Sequence, residues 1–294
     1  MPELPDITIY AERIESLAVG RVLARVRIVN PFVLRTALPP IASVEGSRLE
    51  RVRRLGKRVV LSMAGDLHLV IHLMRAGRFR WLAPGVRLPG KATLAAFDFD
   101  VGSLVLTEAG TRRRAALHLV AGEAALTAFD AGGLELMAAD PRSFSDRLRS
   151  ENHTLKRALT APHLFSGIGG AYADEILHRA KLSPIAHSRD LSESEVTRLH
   201  QAACAVLSEW TERLRVATGE RFPDKVSAFR DGMAVHGRFG EPCPECGSPV
   251  QRIVYAETET NYCARCQTGG KVLADRALSR LLKASWPRDI DELE

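Results

Sequence analysis

The spacing of apolar residues divides the chain into a mostly β half and a mostly helical half. Ile7, Tyr10, Ile14 and Leu17 recur every three or four residues, which predicts an amphipathic helix that ends near Gly20. Short alternating or continuous apolar segments follow, and Gly, Pro and Asp separate them. They predict strands at 21–29, 57–63, 66–74, 77–82, 96–110 and 115–120. Because no helical pattern separates these strands, they favour an antiparallel sandwich or barrel.

From about residue 150 the apolar period becomes helical. Helices are expected at 154–161, 171–181, 192–217, in part of the segment after Pro223, and at 275–286. The predicted class is therefore α+β, with an antiparallel β-sandwich and its leading helix in the N-terminal half and a helical domain after it. The expected boundaries are 1–130 for the β domain, 131–149 for a linker, 150–238 for the helical domain, 239–268 for a cysteine-rich hairpin and 269–294 for a helical tail.

Composition and charge narrow the functional classes. A chain of 294 residues with 46% hydrophobic and 26% charged residues has enough apolar mass for about two globular domains. Neither a basic-then-apolar leader nor an uninterrupted apolar run of about 18 residues is seen, so we expect a cytoplasmic protein without membrane association. The net charge of +6 is compatible with a polyanionic partner, although such an excess is also common in proteins that bind none.

Four of the five cysteines are clustered in the pattern Cys-x2-Cys, sixteen residues, Cys-x2-Cys, and this pattern predicts a zinc site. The ligands are Cys243, Cys246, Cys263 and Cys266, whereas Cys204 stands alone in a helical segment. Four thiolates complete the tetrahedral shell of one Zn²⁺, so the site is expected to be structural and not catalytic. The β-rich residues between the two pairs can form a hairpin, which serves either to stabilise a small unit or as a rigid finger that contacts a ligand.

A glycine-rich turn joins two predicted helices at 167–170. Glycines at a helix N-terminus allow backbone N–H groups to approach an anion, and the helix dipole favours a phosphate there. Lys156 and Arg157 lie one helix upstream. The arrangement is typical of a DNA-backbone clamp, but glycine-rich helix–helix turns are also common without one.

In combination, these motifs resemble the formamidopyrimidine-DNA glycosylase/endonuclease VIII family of base-excision repair enzymes. The resemblance rests on motifs from residue 2 to residue 266: Pro2-Glu3-Leu4-Pro5, Gly56-Lys57, His72-Leu73, Gly167-Ile168-Gly169 with Tyr172-Ala173, and Gly240-Glu241-Pro242-Cys243. It implies a helix–two-turn–helix motif in the helical domain and a zinc finger with four cysteine ligands. It also implies that double-stranded DNA with a damaged or abasic nucleotide is the partner, bound by a monomer.

The resemblance assigns the reaction to the start of the chain. If Met1 is removed, Pro2 presents a secondary amine, and an α-amino group titrates at about 7.7–8.0, so part of it is neutral at neutral pH. A neutral amine can attack C1′ of a damaged nucleotide and form an iminium, from which β- and δ-elimination cut the strand. The resemblance further implies that Glu3 transfers protons and that Lys57 approaches the lesion phosphate or sugar.

The phosphate-binding positions depart from the family pattern. Gly170 stands where the helix–two-turn–helix normally carries an asparagine, so Lys156 and the backbone at Gly169 and Gly170 are left as the candidate contacts. The hairpin-tip position that normally carries an arginine is Thr258, and we expect its neighbours Glu257 and Glu259 to repel a phosphate.

The residues that fill the gap left by a flipped base also differ. The candidates are Met74 or Arg75 after the His72-Leu73 pair, and Arg112 in a basic loop that lacks the family's aromatic wedge.

Three hypotheses for the function remain open. The chain is a bifunctional DNA glycosylase/AP lyase, a non-catalytic relative that binds damaged DNA, or an unrelated zinc-stabilised protein.

Overall fold

The computed structural model describes residues 1–223, 226, 229–255 and 258–293. It contains two compact units. The first comprises Met1–Ala131 together with Trp210–Ser227, and the second comprises Gly132–Glu209 together with Ala228–Glu294. Among the described residues there is no helix with both the length and the apolar character that crossing a bilayer requires.

The first unit is an antiparallel β-sandwich with a leading helix. Helix α1 spans Leu4–Ala18. The strands are β1 Leu23–Ile28, β2 Leu49–Leu55, β3 Arg58–Met63, β4 Leu67–His72, β5 Gly77–Leu82, β6 Thr93–Phe99, β7 Gly102–Glu108 and β8 Ala116–Ala121. They form two four-stranded sheets with the orders β1-β6-β7-β5 and β2-β3-β4-β8. The short helix α2, Glu123–Leu126, follows β8.

The apolar residues that predict helix α1 are also the residues that pack it against the sandwich. Ile7, Tyr10 and Ile14 are fully buried in a core that they share with residues from both sheets. The ring of Tyr10 packs edge-on against Phe79 of β5, with 5.3 Å between the ring centroids. This packing holds the first residues of the chain against the sandwich, which matters for the candidate site described below.

The second unit contains the remaining helices and a two-stranded hairpin. Its elements are α3 Pro141–Ser150, α4 Leu155–Thr160, α5 Gly170–Arg179, β9 Val250–Tyr255, β10 Thr258–Cys263, α7 Ala264–Thr268 and α8 Arg276–Leu282. Helix α6, Glu193–Thr218, contributes its residues up to Glu209 to this unit and the rest to the first. The α+β class and the order of sandwich, helical region and hairpin are as predicted.

Three local differences from the sequence prediction have physical explanations. Strand β2 is not predicted from the sequence. It is an edge strand, and one glutamate and three arginines interrupt the apolar pattern of Leu49 and Val52. Helix α3 occupies the end of the segment predicted as a linker and extends one residue past it. The Asp140 carboxylate caps this helix by accepting from the N–H groups of Arg142 and Ser143, each at 2.9 Å. The described residues between 226 and 249 contain no helix, contrary to the expectation for part of that segment.

Candidate active site and zinc centre

The first three residues of the chain are held in a buried, charged environment. Pro2 is buried, and Glu3 and Asp6 are only 2% and 3% exposed. Asp6, in the first turn of α1, accepts a hydrogen bond from the Glu3 N–H at 2.8 Å, which orders the backbone just before the helix. Pro5 fits the first turn because the N–H that it lacks would have no partner within the helix. The two prolines and two acids therefore build a rigid start to the chain.

The amine at the start of the chain, Glu3 and Lys57 act on one another electrostatically. Burial lowers the pKa of the Met1 ammonium below its ordinary value of 8.0, the Glu3 charge opposes this shift, and Arg78 reinforces it. Burial likewise lowers the pKa of the Lys57 ammonium, again against the Glu3 charge. The Glu3 carboxylate thus acts on both amines in a poorly solvated site, Asp6 acts on the Met1 ammonium as well, and both amines are closer to neutrality than they would be in water.

Lys57 is placed by a tight turn between β2 and β3. Leu55 pairs with Arg58 in register, so Gly56 and Lys57 form a two-residue hairpin connection. Gly56 has a φ of +58°, a left-handed conformation that glycine adopts without strain. The turn projects Lys57 from the end of the sheet towards the site that contains Glu3.

His72 is a member of this site that the sequence indicates only as part of a family motif. It ends β4 opposite Arg58 in the strand register. Burial, with help from the charges of Arg58, Lys57 and His118, lowers the pKa of His72 to about 4, so the ring is neutral at physiological pH. The signal in the sequence is a histidine at the end of a strand, but the residues that lower its pKa, Lys57, Arg58 and His118, lie on other elements of the folded sandwich.

The two arginines predicted to contact DNA from the sandwich are both exposed. Arg75 lies in the turn after β4, where Gly77 N–H donates to the Leu73 carbonyl at 2.9 Å. Arg112 lies in the loop between β7 and β8. That loop is anchored by the buried Glu108, whose carboxylate accepts from the N–H groups of Arg114 and Ala115 at 2.8 and 2.9 Å.

In the second unit, the glycine-rich turn has its own cation and anion pair. Gly169 precedes α5 as its N-cap, and Gly170 is the first helical residue. The Lys156 ammonium donates to the Gly170 carbonyl and to the Asp174 carboxylate, each at 2.5 Å. Asp174 is fully buried and also contacts His236 Nδ1 at 2.8 Å. Lys156, predicted as a phosphate ligand, is therefore paired internally in this structure.

Glu175, the next residue of α5, organises the segment that leads into the cysteine hairpin. Its carboxylate is 6% exposed and accepts hydrogen bonds from three successive N–H groups, those of Ala234, Val235 and His236, at 2.7, 2.9 and 3.0 Å. Three backbone donors satisfy a buried carboxylate well, so this contact ties α5 firmly to the start of the hairpin region. Sequence reasoning gives no indication of it, because the partners are about sixty residues apart.

The four clustered cysteines have the geometry of a zinc site. All four Sγ atoms lie within 4.8 Å of one another, and the distances Cys246–Cys263 and Cys243–Cys266 are 3.4 and 3.9 Å. In a tetrahedral site with Zn–S bonds of about 2.3 Å, the sulfurs are separated by about 3.8 Å. The four thiolates therefore fit one structural Zn²⁺, and with all four coordination positions taken by the protein none is left open for a substrate.

The zinc site contacts helix α5 through a histidine. His178 Nε2 lies 3.3 Å from Cys243 Sγ, and both residues are buried. A ring N–H directed at a ligating thiolate orients that ligand and lowers its negative charge density. Together with Glu175, this contact connects the hairpin to the helix that begins at the glycine-rich turn.

The hairpin tip differs in detail from the expectation of two exposed acids. Thr258 is exposed, and its hydroxyl donates to the Tyr255 carbonyl at 2.7 Å. Glu257 lies outside the described residues. Glu259 accepts from Asn261 Nδ2 at 2.8 Å and lies 3.7 Å from Arg252, so its charge is partly compensated within the hairpin.

Comparison with known proteins places these features in one family. Three family models match consecutive parts of the chain: the formamidopyrimidine-DNA glycosylase N-terminal domain at 1–146, the formamidopyrimidine-DNA glycosylase H2TH domain at 135–219, and the zinc finger found in FPG and IleRS at 240–269. The formamidopyrimidine-DNA glycosylase of Thermus thermophilus is 34% identical over 281 residues, which cover 92% of this chain and all of that protein. The chain belongs to the formamidopyrimidine-DNA glycosylase family.

Solved structures of formamidopyrimidine-DNA glycosylases share the fold. The crystal structure of MutM (Fpg) from T. thermophilus matches with a TM-score of 0.76 at 32% identity, over 90% of this chain and 98% of that one. A Lactococcus lactis FPG mutant in complex with Fapy-dG-containing DNA matches with a TM-score of 0.79 over 91% of this chain and all of that one, but at 24% identity it shows the fold alone. The predicted family, fold class and structural zinc site are thus confirmed, whereas the roles of individual residues stay predictions.

Proposed function

We propose that this protein is a bifunctional DNA glycosylase/AP lyase that acts on an oxidised, ring-opened or abasic nucleotide in double-stranded DNA. The observation that carries the proposal is the electrostatic coupling of the chain's first amine, Glu3 and Lys57 in a buried site. The name of the family and the Fapy-dG-containing DNA bound by the L. lactis protein are consistent with this substrate class.

The proposed reaction uses only groups of this site and water. With Met1 removed, the neutral Pro2 amine attacks C1′, the bond from C1′ to the base breaks, and the base leaves with a proton that Glu3 supplies. The Pro2 nitrogen then gives its N–H proton to the Glu3 carboxylate, the bond from C1′ to the ring oxygen O4′ breaks, and Glu3 returns the proton to O4′, which leaves a ring-opened iminium between Pro2 and C1′. This iminium acidifies the hydrogen on C2′. Loss of that proton breaks the bond to the 3′ oxygen, and a second elimination breaks the bond to the 5′ oxygen. Lys57 faces the sugar or its phosphate as a cation.

The second candidate is a non-catalytic relative that binds damaged DNA. The absence of the family's asparagine at Gly170 and of its hairpin arginine at Thr258 favours it, because both residues bind phosphate in the family pattern.

Borohydride trapping discriminates between the two candidate functions, since only an amine that has formed an iminium with DNA is reduced to a stable adduct. We expect an adduct with an abasic duplex and with at least one duplex of a panel of oxidised bases. Absence of any adduct from processed protein would leave the binding function as the better account.

The substitution Glu3→Gln is expected to separate base excision from strand cleavage. Removal of the base needs a proton donor, so excision of an intact damaged base should fall by about 10² to 10⁴-fold. At a preformed abasic site no base has to leave. The Glu3 charge raises the pKa of the Met1 ammonium in the full chain. We expect the loss of this charge to favour the neutral form of the Pro2 amine in processed protein, so cleavage should persist. The measurement is single-turnover cleavage of both duplexes. Glu15→Gln, an exposed position of the same helix, is the matched control. Equal losses on both substrates would contradict the assigned role.

The substitution Gly170→Asn is expected to strengthen DNA binding. A Cβ at this position meets only the Lys156 ammonium, at 4.0 Å, so a side chain can start here without a clash at its first carbon. One added hydrogen bond to a phosphate contributes about 1.5 kcal/mol, or roughly a tenfold gain in affinity. Fluorescence anisotropy with a duplex that carries a tetrahydrofuran abasic analogue measures it. Gly170→Ala adds the Cβ without the amide and should bind as the wild type does. A gain of equal size in both variants would assign the effect to the helix rather than to a phosphate contact.

A further inference from the structure

The chain continues beyond the last family model, and this continuation is built onto the zinc hairpin. The zinc-finger model ends at residue 269, and we refer to residues 270–293 as the tail. Val272, Leu273 and Ile290 of the tail are buried in a small core with Tyr262 of β10 and Ala264 of α7. A segment with this much buried apolar surface has a defined position on the hairpin.

Two hydrogen bonds fix where helix α8 begins. The Leu273 N–H donates to the Tyr262 hydroxyl at 2.7 Å. The carboxylate of Asp275, which is 3% exposed, accepts from the Val254 N–H of β9 at 2.9 Å. Asp275 directly precedes α8, and α8 lies against β9. The helix therefore starts next to the end of the strand that leads to the hairpin tip.

The segment that follows Asp275 is strongly basic. Residues 276–288 include four cations, Arg276, Arg280, Lys283 and Arg288, and no aspartate or glutamate. Arg280 and Lys283 are exposed, and within the described part of the chain neither takes part in an ion pair. The four acids of the tail lie outside this segment. Asp275 is buried, Asp291 is paired with Arg265 at 2.7 Å, and Asp289 and Glu292 accept from the backbone N–H groups of Asp291 and Arg288 at 3.1 and 3.2 Å.

Near its tip, the zinc hairpin carries little positive charge that is not already paired. Its tip position is Thr258. Arg252, the arginine of β9, lies 3.7 Å from the Glu259 carboxylate, and its guanidinium stacks over the Phe239 ring at 4.2 Å from the centroid. The cations available to bind a polyanion near the hairpin therefore lie on α8 and on the turn after it.

We propose that Arg280 and Lys283 bind phosphates of the DNA backbone beside the zinc hairpin and so supply the cations that the hairpin tip lacks. This inference rests on the proposed function, since it assigns a further contact to the same substrate. Phosphate is the favoured partner because Arg280 and Lys283 are exposed, residues 276–288 include no acid, and the proposed substrate, DNA, carries a phosphate at every nucleotide. The contact is independent of sequence and lesion, so it adds affinity without selecting a base.

The test is the salt dependence of binding to a duplex with the tetrahydrofuran abasic analogue, measured by anisotropy. Two lost phosphate contacts lower the magnitude of the log–log slope by about 1.8, at about 0.9 per phosphate, so Arg280→Gln/Lys283→Gln should show this decrease and weaker binding at low salt. The control is Arg142→Gln/Arg87→Gln, which removes two exposed cations elsewhere and should keep the wild-type slope. Adding Thr258→Arg to the tail variant should restore about half of the lost slope.

The possible outcomes separate this inference from the proposed function. If the wild type shows no salt-dependent binding to the duplex, both fail. If the wild type binds and the tail variant has the same slope and affinity, only the tail contact is overturned, and the basic patch serves another partner such as an acidic protein. Zinc content is measured on every variant. Should the double variant lose zinc, the single variants Arg280→Gln and Lys283→Gln replace it, each with an expected decrease of about 0.9, and unchanged slopes in both would refute the contact.

Discussion

Protein from which Met1 has been removed is expected to form a borohydride-stable adduct with abasic DNA, whereas protein that keeps Met1 should form none. In the unprocessed chain the Pro2 nitrogen belongs to a peptide bond, and its lone pair is delocalised into the carbonyl. The Met1 amine of that chain is one residue removed from the position that the Pro2 amine occupies after processing, so we do not expect it to replace the Pro2 nitrogen, and the expected loss is complete within detection. Mass spectrometry of each preparation establishes which terminus is present, and gel analysis of the reduced mixture measures the adduct. Pro2→Gly, processed in the same way, keeps an amine and should retain weaker trapping.

The pH dependence of this reaction follows from the environment of the terminus. Burial lowers the pKa of the Met1 ammonium in the full chain, and Pro2 is itself buried. We expect burial to act in the same direction on the Pro2 ammonium of processed protein, so the reactive neutral amine should be populated from a lower pH than that of a free α-amino group. The trapping rate of processed protein should rise with pH, with a midpoint below about 8. His72, with its pKa lowered to about 4, is neutral throughout this range and adds no transition to it. Trapping by the Met1-containing protein, or a midpoint near the value of a free lysine, would point to a different nucleophile.

Replacement of Cys263 by serine is expected to remove zinc and to unfold the hairpin. Cys263 is fully buried, and its sulfur lies among the other three ligands. Metal binding in such units is largely their folding energy, so the loss should reach several kcal/mol in the local free energy of unfolding. Because His178 and Glu175 link the hairpin region to α5, hydrogen exchange at Ala234, Val235 and His236 should accelerate as well.

The matched control for this experiment is Cys204→Ser. It makes the same chemical change in α6, where Cys204 Sγ lies 3.5 Å from His200 Nε2 and apart from the zinc ligands. This variant should bind one zinc per chain and keep the wild-type protection at 234–236. Full zinc occupancy in Cys263→Ser, measured by mass spectrometry of the metal, would show that the four cysteines are not the ligand set.

Features that depend on neighbours in the chain are predictable from the sequence. The apolar spacing from Ile7 to Leu17 specifies α1, and the Cys-x2-Cys pairs specify the zinc ligands, because both signals are short-range. Helix α3 has a local signal too, an Asp140 cap followed by Pro141, but the surrounding glycines and polar residues obscure it.

Features that depend on distant partners are not predictable in this way. Nothing next to Lys156 in the sequence indicates that its ammonium is paired with Asp174, eighteen residues away. The same holds for His178 beside Cys243, which are sixty-five residues apart. The environment of the N-terminal amine likewise requires Lys57 and Arg78, which only the folded sandwich brings to it. Pairwise charge effects of this kind arise from the tertiary structure alone.

The hydrogen bond from Val254 to Asp275 has a consequence for how the protein behaves at high concentration. In an isolated two-stranded hairpin, the outward N–H groups of each strand are unpaired and can template pairing with a strand of another molecule. Here the Asp275 carboxylate occupies one such N–H, and α8 lies along the same strand. The tail thus covers an exposed sheet edge with a charge and a helix, two devices that discourage intermolecular strand addition. A polypeptide ending at residue 269 would keep all four zinc ligands but would present this edge uncovered.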